Sequence, residues 1–241
     1  MGRFAIILLA VILALPCKAQ RVKGALDKQV IAYFDLTSNI GLVHRDDYNN
    51  SADTMKGGLY FKNLAYYFDG SADYISCPYN ARYDITNSFT FAVWSKPDDL
   101  SKANFTSIFG RQNTAANNSV WALTFELTAD SYSLYSSGQT GTSPYANSHL
   151  VVTDNRWHHV VYTYNGATFN KYLDGVLKGT YSITFSFASS TKPMTFGIGD
   201  SGNTAASSMQ GSLAKGMLLS RAITASEVWA MYIKDKPFYN Y

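Results

Sequence analysis

The stretch Trp157–Gly179, WHHVVYTYNGATFNKYLDGVLKG, constrains the fold more than any other. Trp157 to Tyr164 is a run of aromatic and β-branched residues, the composition of a strand. Asn165-Gly166 follows, a dipeptide suited to a two-residue type I′ hairpin turn because both central residues need φ > 0. Thr168 to Leu173 is the return strand. Asp174-Gly175 is a second turn of the same kind, and Val176 opens the next strand. A lone hairpin is marginal in water, so this meander must belong to a larger sheet.

The rest of the chain supplies that sheet in short pieces. Strands are expected at Val30–Leu36, Leu59–Phe61, Ala65–Phe68, Tyr74–Cys77, Ser88–Lys96, Thr106–Gly110, Trp121–Thr128, Tyr132–Tyr135, His149–Val152, Tyr181–Phe187, Met194–Ile198 and Ser212–Leu219. Two alternate clearly. Phe89, Phe91 and Val93 share one face against Thr90, Ala92 and Trp94; Trp121, Leu123, Phe125 and Leu127 share one against Ala122, Thr124, Glu126 and Thr128. Thr37–Gly57 is rich in Asn, Asp and Ser, has no periodicity, and reads as a long surface loop. Thr224-Ala225-Ser226-Glu227 is a capping box, with Ile223 and Val228 at staple positions, so one short helix closes the chain. Val228, Met231 and Tyr232 form its inward stripe. A dozen short strands, one late helix and no βαβ alternation predict an all-β antiparallel sandwich.

Arg3, the apolar run Phe4–Leu15 and Cys17-Lys18-Ala19 read as an export signal over residues 1–19, with one domain from 20 to 241. Lipidation at Cys17 and an uncleaved anchor are the alternatives; Pro16 and the shortness of the run argue against them. The expected location is secreted or extracellular, with the periplasm or a cell surface as variants. Lys+Arg less Asp+Glu is 20 − 17 = +3, and removing Arg3 and Lys18 leaves 18 − 17 = +1. A near-neutral chain has no field for nucleic acid or an anionic membrane. No stretch in the mature part is long and apolar enough to span a bilayer. Cys77 is then alone, without a disulfide partner, and reads as a small buried apolar residue.

Five segments in order carry a resemblance: FDGSADYI (Phe68–Ile75), SFTFAVWSKP (Ser88–Pro97), the W-HHV-Y strand ending in YLDG (Tyr172–Gly175), FGIGD (Phe196–Asp200), and a Gly211-led strand with SRAITASEV (Ser220–Val228). From about Val30 to Tyr232 the chain resembles the laminin-G-like, concanavalin A-like lectin/glucanase superfamily. That resemblance implies a jelly-roll sandwich of two curved antiparallel sheets, with ligands on a concave face or at rim loops. It does not fix function, because members include sugar-binding modules, adhesion domains, calcium-dependent binders and glycosidases.

Glycosidic chemistry needs two carboxyl groups about 5–10 Å apart across the sugar bond. The chain holds only two glutamates: Glu227 belongs to the helix cap, and Glu126 has threonines where acidic partners should stand. The expectation is therefore no enzyme and no catalytic residue, with a glycoside hydrolase last among the readings. His158 and His159 are adjacent, point to opposite faces of one strand and cannot chelate one metal. Calcium is an alternative at Asp69 and Asp73. Lys215 stands where calcium-holding relatives often carry an acid, so no metal and no cofactor are expected. Asp69 reads instead as a turn residue bonded to its own backbone.

Three polar loops, Arg111–Ser119, Ser136–Ser148 and Gly199–Gln210, offer neutral donors and acceptors matched to sugar hydroxyls. The expected ligand-binding residues are Arg111, Tyr145, Asp200 and Asn203, with Tyr145 as a stacking plane and Arg111 as a fork of donors. Trp121 reads as core, and Trp94 as either surface. Asn49, Asn104 and Asn117 lie in N-glycosylation sequons. The expected function is an exported, non-catalytic module binding a glycan or surface polysaccharide through rim loops. A structural or adhesion domain with a protein partner is the alternative.

Overall fold

A computed structural model of the chain describes residues 29–35, 43–45, 52–71, 73–85, 87–98, 106–111, 121–126, 131–136, 148–185, 187, 190–198 and 208–239. The expected signal segment and the three sequon asparagines lie outside the described residues.

The meander forms β12 (His158–Tyr164), β13 (Thr168–Leu173) and β14 (Val176–Ser182). Its two turns differ. Asp174 and Gly175 have φ of 52° and 78°, the paired positive values of a type I′ turn between Leu173 and Val176. Asn165 is not in the left-handed region; only Gly166 is, at φ 97°. The Asn165 side chain accepts from the amides of Ala167 (3.0 Å) and Thr168 (2.7 Å), which widens the loop to three residues. The two-residue turn expected there is thus replaced by one built on the Asn165 side chain.

The other strands are β1 (Val30–Asp35), β2 (Val43–Arg45), β3 (Ala52–Lys56), β4 (Tyr60–Lys62), β5 (Ala65–Asp69), β6 (Tyr74–Cys77), β7 (Phe89–Pro97), β8 (Thr106–Arg111), β9 (Trp121–Glu126), β10 (Ser131–Ser136), β11 (Leu150–Val151), β15 (Met194–Phe196) and β16 (Gln210–Leu219). One sheet runs β14-β13-β12-β7-β16-β5-β4, with β1 also paired to β16; the other runs β11-β10-β9-β8-β15-β6-β3-β2. Every pairing is antiparallel. The chain is an antiparallel β-sandwich with one short C-terminal helix, as expected. Among the described residues no helix is long and apolar enough to cross a membrane.

Two expectations about elements are corrected. Thr37–Gly57 is not all loop: β2 and β3 lie within it, and β3 pairs with β6 through Thr54–Ser76, Met55–Ile75 and Lys56–Tyr74. β2 at the sheet edge and β3 beside it are short and mostly polar, carry no hydrophobic period, and are defined by sheet pairing alone. Tyr181 and Ser182 belong to β14, and Ile183 and Phe185 beyond it are buried without strand structure.

The inward faces meet in one aromatic-rich core. Phe109 stacks on Phe196 at 4.6 Å, Phe34 meets Phe196 edge-on at 4.6 Å, and Phe91 lies 4.6 Å from Trp121. Trp121 is fully buried there, as is Cys77. On the outward face of the first sheet, α1 (Ala225–Asp235) and the single 3-10 turn after it form a partial roof. The capping box is complete at Thr224 and Glu227, and Ile223 and Val228 share one small apolar cluster with Ala92, Val161 and Leu219. Trp94 lies under this roof, packed against Tyr239 at 4.6 Å and His159 at 5.1 Å. The Lys215 ammonium reaches Asp235 at 2.6 Å and ties β16 to the helix C-terminus.

Candidate functional site

Arg111 is the last residue of β8, opposite Trp121, on the inward side shared with Phe109. Its side chain is fully buried at the end of the core. Burying a guanidinium requires partners. Asp84 Oδ1 accepts from Nη1 at 2.6 Å, and the Ser190 carbonyl accepts from Nη2. Nε is buried without a partner among the described residues. The expectation of Arg111 as a donor on the rim is corrected: its fork is turned inward and occupied by the protein.

What Arg111 does hold is a rim aromatic. Its guanidinium lies 5.2 Å from the ring centroid of Tyr79, a cation–π contact. The Tyr79 hydroxyl donates to Asp84 Oδ2 at 2.9 Å, and this bond to a carboxylate raises the Tyr79 pKa. Tyr79 is still 39% exposed. The turn Ala81–Tyr83 sets this geometry. Asn80 caps it by accepting from the Arg82 amide at 2.9 Å, Tyr83 drops into the core, and Asp84 follows on the outside. An exposed ring with its tilt fixed from beneath, beside a half-open carboxylate, can stack on the apolar face of a sugar and accept from its hydroxyls. Tyr79 and Asp84 were not among the residues nominated from sequence. The available signal was an aromatic between Pro78 and Asn80 just past the end of β6. Tyr145, Asp200 and Asn203 lie outside the described residues.

The histidine pair divides as expected. His158 faces inward and is held between two carboxylates, Asp174 at 3.0 Å from Nδ1 and Asp154 at 3.1 Å from Nε2. Burial opposes its protonation, but Asp174 and Asp154 together outweigh it and raise its pKa. His159 faces outward under Tyr232 and beside Trp94; desolvation, aided by Lys215, lowers its pKa to about 4. Asp174 Oδ1 also accepts from the His159 amide at 2.9 Å, so this group ties the Asp174-Gly175 turn to the start of β12.

Asp73 is buried, and its carboxylate accepts from the amides of Gly58 at 2.5 Å and Asp69 at 3.0 Å. Burial raises its pKa. Asp69 Oδ1 accepts from the Ser71 amide at 2.6 Å, the local turn bond read from sequence. These two carboxylates are thus engaged by backbone. Among the described residues no three His, Cys, Asp or Glu side chains converge on a metal-sized site.

Two antiparallel sheets with a capped C-terminal helix and a polar–aromatic rim define a lectin-like β-sandwich domain. The chain belongs to the concanavalin A-like lectin/glucanases superfamily, whose laminin-G profile matches residues 69–229. No curated protein matches it in sequence. Among solved structures it is similar to Trypanosoma rangeli sialidase in complex with sialic acid, at 16% identity and a TM-score of 0.66, over 89% of this chain and 34% of that one. A mutant of Trypanosoma rangeli sialidase displaying trans-sialidase activity matches at 15% identity and a TM-score of 0.65, over 89% and 34%. A mutant of HCR D/C VPI 5995 matches at 14% identity and a TM-score of 0.64, over 87% and 53%. The chain therefore spans about a third of the sialidases it matches, and at these identities the likeness is one of fold. These neighbours correct the expectation of no enzyme. The fold occurs within enzyme chains, so the missing pair of strand carboxylates does not make this chain non-catalytic.

Proposed function

We propose that this domain binds carbohydrate at the rim where Tyr79 and Asp84 stand, with Tyr145, Asp200 and Asn203 as further contacts. The observation that carries the reading is Tyr79: exposed, yet pinned by Arg111 behind its ring and Asp84 at its hydroxyl. A side chain already immobilised loses little entropy when a ligand covers it. Membership of a lectin/glucanase superfamily supports the same ligand class. The apolar leader at residues 1–19 supports export, where such ligands are displayed.

The test is a glycan-array screen of the domain with calcium and again with EDTA. Saturable binding that drops at least tenfold in Tyr79→Ala is the expected result. Binding unchanged in Tyr79→Ala, Tyr145→Ala and Asn203→Ala would overturn the rim site. Loss with EDTA alone would assign a cation to the site. A protein partner is the second reading, favoured by the exposed Trp229 and Ile233 one turn apart on α1, and array silence followed by capture of a protein would select it.

A further inference from the structure

We propose that the outward face of the first sheet, where strands β4, β5, β16 and β7 run side by side, is a second carbohydrate-binding surface, for an uncharged oligosaccharide lying across the strands. The proposal rests on the carbohydrate reading of the domain but uses none of its rim residues.

Register builds the surface. Tyr60 pairs with Tyr67, Tyr67 with Ser212, and Ser212 with Lys96. The four residues therefore form one row over three strand spacings, about 14 Å. Their face is the outward one. Alternation places Tyr67 with Ala65, and Lys96 with Trp94, both in the cluster under the C-terminal roof, while Tyr66 and Phe68 enter the core. Tyr239, the last described residue of the roof, packs on Trp94 and Trp157.

The row begins with an aromatic platform. The rings of Tyr60 and Tyr67 are 4.8 Å apart and tilted by 34°, and Tyr60 is 46% exposed. Tyr67, half-buried, is held in the row between Tyr60 on β4 and Ser212 on β16. A second row lies alongside: Asp69 pairs with Gln210, and the Asp98 amide donates to the Gln210 carbonyl at 3.2 Å. Gln210 Oε1 is buried beneath this row and has no hydrogen-bond partner among the described residues. Aromatic planes beside a file of hydroxyl, ammonium, carboxylate and amide groups suit pyranose rings, which are apolar on one face and rich in hydroxyls at the edge. Lys62, opposite Ala65, and Lys96 balance Asp69 and Asp98. A surface with both signs in equal number favours a neutral chain over a polyanion.

A tyrosine pair across a hairpin also stabilises the hairpin itself. The β4–β5 turn, Asn63-Leu64 with φ of 52° and 59°, makes that contribution useful here. The experiment must separate the two roles. Neutral hexaoses (cello-, laminari-, malto- and xylo-) and an oligogalacturonate are titrated into the domain by calorimetry. Wild type, Tyr60→Thr, Tyr60→Phe and Tyr79→Ala are compared, with a thermal melt of each. Tyr60→Thr keeps a strand-forming residue and removes the ring. The expected result is at least tenfold weaker binding of a neutral hexaose in Tyr60→Thr at retained folding, rescue in Tyr60→Phe, and a hexaose site that persists in Tyr79→Ala. Hexaose binding abolished by Tyr79→Ala and untouched by Tyr60→Thr overturns this surface and leaves the rim standing. Loss in Tyr60→Thr alone supports this surface even if the rim fails. Binding confined to oligogalacturonate overturns the neutral class, and no binding of any saccharide overturns the surface as a glycan site.

Discussion

Arg111 lies beneath Tyr79, 5.2 Å from its ring centroid, and Asp84 is bonded to both. The ion pair is asymmetric, with Arg111 fully buried and Asp84 36% exposed. Removing one charge of a buried pair is most damaging when the charge left behind is the more deeply buried. Asp84→Asn should therefore cost about 3 kcal/mol, and Arg111→Met, which leaves a solvated carboxylate over an apolar filler, about 1 kcal/mol. Urea unfolding of both variants checks the order. Equal losses would mean that Asp84 does not compensate the guanidinium. If Arg111 acts as a positioning residue, Arg111→Met should also weaken glycan binding while Tyr79 is intact.

The two adjacent histidines should titrate on opposite sides of the ordinary value. His159 has a folded pKa of about 4, below the ordinary 6.5. Between those values the unfolded chain binds a proton that the folded chain refuses, so stability falls as pH drops from about 6.5 to about 4. The shift corresponds to at most about 3 kcal/mol. His159→Phe keeps the stack on Trp94 and should remove that acid sensitivity. His158 has the other sign, because its folded pKa is raised. Its contribution is fully present below about 6.5 and is lost as pH rises through the folded pKa. Long-range proton–nitrogen NMR of the imidazoles checks both; a shared pKa near 6.5 would contradict the arrangement.

The helix cap is a four-part network. Thr224 accepts from the Glu227 amide at 3.3 Å, Glu227 accepts from the Thr224 amide at 2.7 Å, and Arg221 grips the same carboxylate at 3.0 and 2.5 Å. Arg221 is the chief cause of a Glu227 pKa near 2. The folded value is depressed, so the contribution is present above the ordinary 4.5 and is lost as pH falls toward 2. Thr224→Ala should cost about 1 kcal/mol. Because α1 roofs Trp94, tryptophan fluorescence should report the loss, and an unchanged denaturation midpoint would show the cap to be redundant.

Legibility in the sequence followed burial. Strands with an apolar period, such as Phe89–Pro97 and Trp121–Glu126, were readable because their inward residues reach the core. So was the capping box, a local motif complete in four residues. β2 and β3 were not, since these short polar strands are defined by their partners, β3 by β6 and β2 by β3, and not by their own residues. The I′ turn was expected first at Asn165, where the side chain instead bonds the loop backbone; at Asp174 the paired positive φ values appear. For the candidate site, residue chemistry was legible but direction was not. Arg111 has the right donors for a sugar, and strand alternation turns them inward. Tyr79 is not legible, because no periodic signal marks an exposed aromatic after a proline.

Glycine has different jobs in the two meander turns, and this gives a prediction. Both Gly166 and Gly175 have positive φ, so an alanine at either is strained by about 1 kcal/mol. At Gly166 the added Cβ would meet only the Asn87 carbonyl, at 3.3 Å. At Gly175 it would come within 2.8 Å of the Trp229 indole and 2.9 Å of the Tyr232 ring. The Asp174-Gly175 turn is thus the floor on which α1 sits, and Asp174 holds His158 and the His159 amide from the same turn. Gly175→Ala must push the helix outward as well as strain the backbone, a further overpacking penalty of about 1–2 kcal/mol. Gly175→Ala should therefore unfold at lower denaturant than Gly166→Ala, and should raise amide exchange in α1 and at His159 together. If the two variants melt alike, the helix does not bear on the turn, and the roof over Trp94 is held by the cap and the Lys215–Asp235 pair alone.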